Sequence, residues 1–380
     1  MLMIIISLLL ILLSDTYIWY TFLHHAPVVW SIAHWIPTIM LVVAMFAFRT
    51  NVSQWSMSVI AVVLLCITLP KLLFTLVSLA GRAAAAVHAP AAGWFDAAGM
   101  MMAAVVCLAC VYGVAFGWKR LTVKRVEISS DELPDSFDGY RIVQITDLHL
   151  GTFGRNTRYM RQLAEQIERL SPDLILFTGD LVNLSADELE PFGEVLASLR
   201  ARDGVVSVLG NHDYCLYKHY DDEHGAACDT ERIKLFEREA GWQLLLNDHI
   251  DVVRGCDTIS VIGVENVGRP PFPSQGDLRR AMEGIPEDRF KVLLSHDPTH
   301  WRDEVLPSTD IQLTLSGHTH GMQLKIGGFS PSSWIYPEWG GLYTEDGRYL
   351  HVSTGAGGNL PFRLGAWPEI VVITLSSGRH

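Results

Sequence analysis

The stretch Ile311-Gln-Leu-Thr-Leu-Ser-Gly-His-Thr-His-Gly321 runs a short apolar segment into two histidines spaced i, i+2. Residues 311–315 have strand character and the Ser-Gly pair marks a turn. Two imidazoles on one side of an extended strand end are hard to explain by packing. Working outward, the same event occurs four more times. Residues 141–146 end in Asp147-Leu-His149, residues 174–177 in Thr178-Gly-Asp180, residues 205–209 in Gly210-Asn-His-Asp213, and residues 290–294 in Ser295-His-Asp-Pro298. Ligands of open α/β sheets gather at the carboxyl ends of strands, so five such loops can point at one place. Glycines at the turns permit the close approach this needs.

The donors so collected are Asp147, His149, Asp180, Asn211, His296, His318 and His320. All offer oxygen or imidazole nitrogen and none a thiolate, a set that suits zinc, iron or manganese. Seven donors exceed one four-coordinate ion and suit two ions sharing a carboxylate. Around them, residues 159–170, 188–200 and 230–239 have helical character. Residues 121–128, 244–253, 258–264, 349–354 and 369–375 read as further strands.

This ordered set, from Asp147-Leu-His149 through Gly179-Asp180, Gly210-Asn211-His212-Asp213 and Ser295-His296 to Gly317-His318-Thr319-His320, resembles the calcineurin-like metallophosphoesterase superfamily over roughly residues 140–375. The resemblance implies an α/β fold, a two-sheet sandwich flanked by helices with two divalent metal ions at one edge. The ions would be manganese, iron, zinc or a mixed pair. By position, Asp147, His149 and His320 would hold the first ion, and Asn211, His296 and His318 the second, with Asp180 between them. Two such cations about 3.5–4 Å apart clamp a phosphoryl group and bring the pKa of a bridging water towards neutrality. His212, beside Asn211, is the catalytic candidate for giving the leaving oxygen a proton. Asp213 is the second catalytic candidate, expected to orient the His212 ring through its other nitrogen. The alternative for Asp213 is a plain turn residue.

Charge divides the chain. Residues 1–118 hold only Arg49, Lys71, Arg82, Asp15 and Asp96, while the rest carries 26 Lys/Arg and 39 Asp/Glu. Residues 28–48, 57–80 and 97–117 are each long and apolar enough to cross a bilayer. Residues 1–13, extended to about residue 22, read as an uncleaved first helix, since a signal peptide's basic start and small-residue cleavage site are missing. About four transmembrane helices are therefore expected in 1–118. A basic juxtamembrane linker and first strand would follow in 119–140, and the phosphoesterase domain in 141–380. Lys119, Arg120, Lys124 and Arg125 crowd the exit of the last span, and Arg49 follows the second. This bias places the C-terminal domain in the cytoplasm, as a multi-pass protein of a bacterial inner membrane. Lys71 lies within the third span, where a charge needs a partner or must snorkel; Asp15 is the candidate partner. Six cysteines split three and three without CxxC spacing, so neither a disulfide framework nor a thiolate zinc site is expected.

The net charge of −12 argues against nucleic acid. The expected function is a membrane-anchored two-metal phosphoesterase that cleaves phosphodiester or diphosphate bonds with a metal-bridging hydroxide. The resembled branch includes UDP-2,3-diacylglucosamine diphosphatases, and the membrane anchor points to a lipid-linked substrate. The alternative is a metal-binding sensor or scaffold without turnover. Protein partners are not indicated. Arg363 is a candidate contact to substrate phosphate. Residues 329–339, with Phe362 and Trp367, form either an apolar rim for a bilayer or acyl chain or a packed loop. The polar insert 214–230 either covers the site or is a solvated loop, and His300 and His351 read as surface or packing residues.

Overall fold

Leu174-Ile-Leu-Phe177 alternates its side chains between two apolar layers, and that alternation builds the soluble part of the molecule. The structure, a computed structural model, describes residues 2–50, 52–88 and 90–378, without the side chains of residues 2–7, 49 and 50. Met1 and the Arg49 side chain, both used in the topology expectation, lie outside the described residues. Two units separate, Met1–Gly117 and Trp118–His380.

In the first unit, helix α1 (Leu2–Ile18) ends in a π turn, Trp19–Leu23. Helix α2 is Val28–Thr50. Helix α3 (Gln54–Val63) passes through a second π turn, Leu64–Thr68, into α4 (Leu69–Ala84), and α5 is Ala91–Ala115. The second π turn sits just before Pro70, whose ring cannot tolerate a regular α turn beneath it and which has no N–H to donate. Among the described residues, three helical stretches, Val28–Phe48, Gln54–Ala84 and Ala91–Lys119, are long and apolar enough to span a membrane. The expected count of about four becomes about three among the described residues, where Leu8–Leu23 is a shorter apolar stretch. Lys71, Thr75, Ser78 and Arg82 fall at i, i+4, i+7 and i+11, on one face of α4. Each has a partner there. Lys71 Nζ lies 2.8 Å from Asp15 Oδ1, Thr75 bonds Ser14 at 2.8 Å, Ser78 bonds Tyr17 at 2.7 Å, and Arg82 pairs with Asp96 at 2.8 Å.

The second unit is a sandwich of two six-stranded mixed sheets. One has the order β1-β12-β2-β3-β4-β5, from β1 (Thr122–Ser130), β2 (Arg141–Ile145), β3 (Leu174–Phe177), β4 (Val205–Ser207), β5 (Gln243–Leu244) and β12 (Glu369–Ser377). The other has the order β10-β11-β9-β8-β7-β6, from β6 (Asp248–Arg254), β7 (Asp257–Gly263), β8 (Phe290–Leu294), β9 (Leu313–Ser316), β10 (Gly341–Glu345) and β11 (Arg348–Val352). Leu174 and Leu176 join Val292, Leu294, Leu313 and Leu315 between the sheets. Ile175 and Phe177 face the opposite way, towards Leu163 and Ile167 of helix α6 (Arg158–Leu170) and Ile233 of helix α8 (Gly225–Glu239). Each such buried side chain stabilises the fold by roughly 1.5–3 kcal/mol.

Two local expectations change. Residues 188–200 are not one helix but a 3-10 segment, Ala186–Phe192, and a single α turn, α7 (Gly193–Leu196), because Pro191 interrupts the ladder. The last third of the insert 214–230 is the start of α8. The strand expected over residues 121–128 is present as β1, paired in parallel with β12 from Thr122 beside Glu369 to Ser130 beside Ser377.

Candidate metal centre

Strands β2, β3 and β4 are mutually parallel, as are β8 and β9, so their carboxyl ends lie at one end of the sandwich. The loops leaving those ends bring the predicted donors together in two overlapping groups. Asp147, His149, Asp180 and His320 form one, and Asp180, His296 and His318 the other; within each, the donor atoms all lie within 4.8 Å of one another. Asp180 belongs to both. Asn211 joins the second group, its Oδ1 2.7 Å from His318 Nδ1.

The spacing suits ions. Ligands bound at about 2.1 Å sit roughly 3–3.5 Å from each other. Here His149 Nε2 is 3.1 Å from His320 Nε2 and 3.5 Å from Asp180 Oδ2. His320 Nε2 is 3.3 Å from Asp147 Oδ1, and His296 Nε2 is 3.2 Å from Asp180 Oδ2. His296 Nδ1 donates to the Thr178 carbonyl at 2.7 Å, which leaves Nε2 as the ring atom that can offer a lone pair to an ion once its proton is displaced. That nitrogen is fully buried, aimed at a carboxylate, and without a hydrogen bond. A buried ring nitrogen facing a carboxylate without a hydrogen bond fits a cation between them.

The backbone pays for this convergence. Asp147, His149, Asp180, His318 and His320 all have φ between 47° and 71°, a left-handed conformation that non-glycine residues avoid. Each costs roughly 1–3 kcal/mol and persists where surrounding structure enforces it, typically at functional sites. The enclosing turns are tight. A Cβ on Gly210 would meet Asp180 Oδ1 at 2.3 Å, and one on Gly317 would meet Asp147 Oδ2 at 2.3 Å.

Electrostatics follow from the burial. Burial pushes the His149 imidazole down to about 3, His318 to about 4, and His320 well below its usual range, so these rings are neutral donors near pH 7. Burial also opposes charge on Asp180, but His296, His212 and His149 hold its carboxyl well below the usual carboxylate range. Burial pushes Asp147 up to about 7. Burial works against a charged His296 as well, yet Asp180 and Asp147 carry that ring up to about 10. A divalent cation would answer the carboxylate charge and displace the proton from His296.

A calcineurin-like phosphoesterase family model matches residues 140–322. The metallophosphoesterase YkuE of Bacillus subtilis is 30% identical over 298 residues, which covers 73% of this chain and 95% of that protein. The chain belongs to the calcineurin-like metallophosphoesterases. It is a hydrolase of that family, with a cluster of Asp and His residues that could bind metal ions. A Danio rerio transmembrane protein with metallophosphoesterase domain is 29% identical over 309 residues, 78% of this chain and 67% of that one. The UDP-2,3-diacylglucosamine pyrophosphatase LpxG of Chlamydia trachomatis is 28% identical over 296 residues, 63% of this chain and 86% of that one. Transmembrane relatives and apolar helices together mark this metallophosphoesterase as a membrane protein.

Two sequence expectations about the phosphoesterase site need correction. Asp213 does not orient His212. Its carboxylate accepts from the backbone N–H groups of Asp180 and Leu181 at 2.8 Å and of Gly210 at 2.9 Å, tying the second and third ligand loops together. The His212 ring is held by the Asn183 carbonyl, 2.7 Å from Nδ1. Arg363 is not open to substrate. It is fully buried, bonds the carbonyls of Thr354 and Gly357 at 2.6 and 2.7 Å, and places Nη2 3.3 Å from His320 Nδ1. It is a strut behind a ligand, since five donors in a fork suit carbonyl-lined turns as well as phosphate. Sequence reasoning missed Tyr336, whose hydroxyl is 2.9 Å from His318 Nε2, and Tyr217, which accepts from Asn211 Nδ2 at 2.8 Å. Both fix the orientation of a donor. No spacing signal marks either tyrosine.

Proposed function

We propose that this protein is a membrane-anchored two-metal phosphoesterase that hydrolyses a phosphodiester or diphosphate bond in a lipid-linked substrate. The observation that carries the reading is the sharing of Asp180 between two donor groups, which suits two ions and not one. Asp147, His149 and His320 would hold one ion, Asn211, His296 and His318 the other, with Asp180 common to both. Divalent ions so placed supply Lewis acidity to phosphoryl oxygens and acidify bound water.

The protein's own residues do the rest. Asp213 and the glycine turns hold the ligand loops at fixed separation. His212 donates its Nδ1 proton to the Asn183 carbonyl, which leaves Nε2 to hold a proton and hand it to the leaving oxygen. The half-buried His212 ring packs at right angles to His149, 4.8 Å between centroids, beside the donor cluster. The lipid-linked substrate is supported by the apolar helices of the same chain and by the UDP-2,3-diacylglucosamine pyrophosphatase activity for which the LpxG relative is named. Lys119, Arg120, Lys124 and Arg125 after the last apolar helix support a cytoplasmic phosphoesterase domain at a bacterial inner membrane.

The test is hydrolysis by the full chain in lipid nanodiscs, after metal loading, of bis-p-nitrophenyl phosphate and of UDP-2,3-diacylglucosamine, with elemental analysis. Two equivalents of metal and turnover of the lipid substrate are expected. A single equivalent, or turnover unaffected by Asp180→Asn, would sink the two-metal reading. Turnover of the aryl ester alone would sink the lipid substrate.

A further inference from the structure

The loop that follows the last metal ligand is built inside out. Ser330 and Ser332 are fully buried, while Trp334 is 79% exposed, Ile326 69%, Ile335 59%, Phe329 46% and Met322 41%. A soluble surface loop ordinarily does the reverse. The inversion is held firmly. Ser330 Oγ donates to the Gly321 carbonyl at 2.7 Å, and Thr319 Oγ1 to the Trp339 carbonyl at 2.6 Å. Ile326 and Phe329 exchange both backbone hydrogen bonds, at 2.9 and 3.1 Å. Residues 331–334 form a 3-10 turn, after which the N–H of Tyr336 bonds the Ser332 carbonyl at 2.8 Å. Met322 is kept at φ 44°, in the left-handed region, directly after His320 and Gly321. The rings of Phe329 and Trp334 pack together at 5.5 Å.

Both ends of this loop touch the donor cluster. It leaves from His320, and it returns through Tyr336, whose hydroxyl bonds His318. The loop that carries these apolar side chains is therefore anchored at both ends beside the place where a phosphoryl group would sit. Its edge carries the exposed Lys325, whose ammonium lies 5.4 Å from the Trp339 ring and complements an anionic group. An apolar surface adjoining an anion site fits one molecule with both characters.

We propose that Met322, Ile326, Phe329, Trp334 and Ile335 form the surface that receives the alkyl chain of a phosphoester held at the metal centre, and so set the preference for lipid over water-soluble esters. This rests on the phosphoesterase reading above and adds the residues that select the substrate. A rigid apolar surface gains from each methylene it covers, roughly a factor of four in affinity, and it avoids the ordering cost of a floppy one.

The experiment compares p-nitrophenyl methyl phosphate with p-nitrophenyl dodecyl phosphate, which share one reacting group, using the full chain in nanodiscs. For the wild type, kcat/KM should favour the dodecyl ester by at least about tenfold, from as few as two covered methylenes. In Trp334→Ser/Ile335→Ser the preference should fall towards unity with the methyl ester changed less than about twofold. Val253→Ser, an exposed apolar position on β6, should keep the wild-type ratio. A second readout needs no turnover. Hydrogen exchange across residues 322–336 of the metal-free chain should slow with dodecyl phosphate and not with methyl phosphate.

Equal losses for both esters would mean a structural role and overturn the proposal. So would a preference that survives in the double variant, or exchange that dodecyl phosphate leaves unchanged; the latter would assign the patch to a macromolecular partner. Hydrolysis of neither ester by the metal-loaded wild type would overturn the enzymatic reading itself. A failure of chain preference with both esters turned over would leave that reading standing and remove only this one.

Discussion

Lys71 and Asp15 meet at 2.8 Å within the apolar helical unit, 56 residues apart in sequence. The ammonium also donates to the His34 carbonyl at 2.9 Å, and Thr38 donates to the second oxygen of the Asp15 carboxylate. The pair binds α1 to α4 through groups that neither helix can expose to hydrocarbon alone.

Removing one partner of this pair leaves the other charge buried. Lys71→Met or Asp15→Asn should each destabilise the helical unit by up to about 3 kcal/mol, and the double variant by much less. Thermal unfolding in a fixed detergent, read by circular dichroism, checks this. Additive losses in the double variant would show that the two side chains act independently.

At the metal centre, Asp180→Asn should lower phosphodiester hydrolysis more than about a hundredfold, exceeding what an outer-shell partner contributes. Metal content should fall with it, and chelation of the wild type should reproduce the loss. Gly317→Ala is a subtler probe. Its new Cβ would crowd Asp147 Oδ2 and Thr146 Oγ1, each at 2.3 Å, without touching a donor's identity. A loss of roughly 10–100-fold in activity with an unchanged circular dichroism spectrum is expected.

His212 should matter in proportion to how badly the leaving group needs a proton. A general acid contributes on the order of 100-fold or more when the leaving oxygen is basic. His212→Gln should therefore slow release of an alkoxide at least that much and release of p-nitrophenolate far less. Parallel rate measurements on an alkyl and an aryl diester decide it, and equal losses would remove His212 from the proton-donor role.

Acid stability has a named contributor far from the leaving group. His351 is buried in β11, its Nδ1 2.9 Å from Gln144 Oε1, and burial pushes its imidazole down to about 4. The folded protein keeps this ring neutral while the unfolded chain takes up a proton near pH 6.5. Stability from this group is full above about pH 6.5 and is lost as pH falls towards 4, on the order of 3 kcal/mol in total. His351→Gln should flatten that part of the stability profile. Unfolding midpoints at pH 7.5 and pH 5 in both proteins test it; an equal drop in both would clear His351.

The donor set was legible in the sequence because its seven members follow five short apolar runs at strand-end turns, and those are local signals. Seven oxygen and imidazole donors after five strands, and apolar runs too long and uncharged for a soluble helix face, follow from periodicity and composition alone. The partners of Asp213, the burial of Arg363, the tyrosines behind Asn211 and His318, and the Lys71–Asp15 pair were decided by tertiary structure. Each depends on which distant backbone groups arrive beside a side chain. The loop at 322–336 shows the same division: its aromatic content is visible in the sequence. Which of its residues face outward was settled by buried serines bonding to the turn that carries His318 and His320, since a side chain's exposure is a property of its packed neighbours and not of its own chemistry.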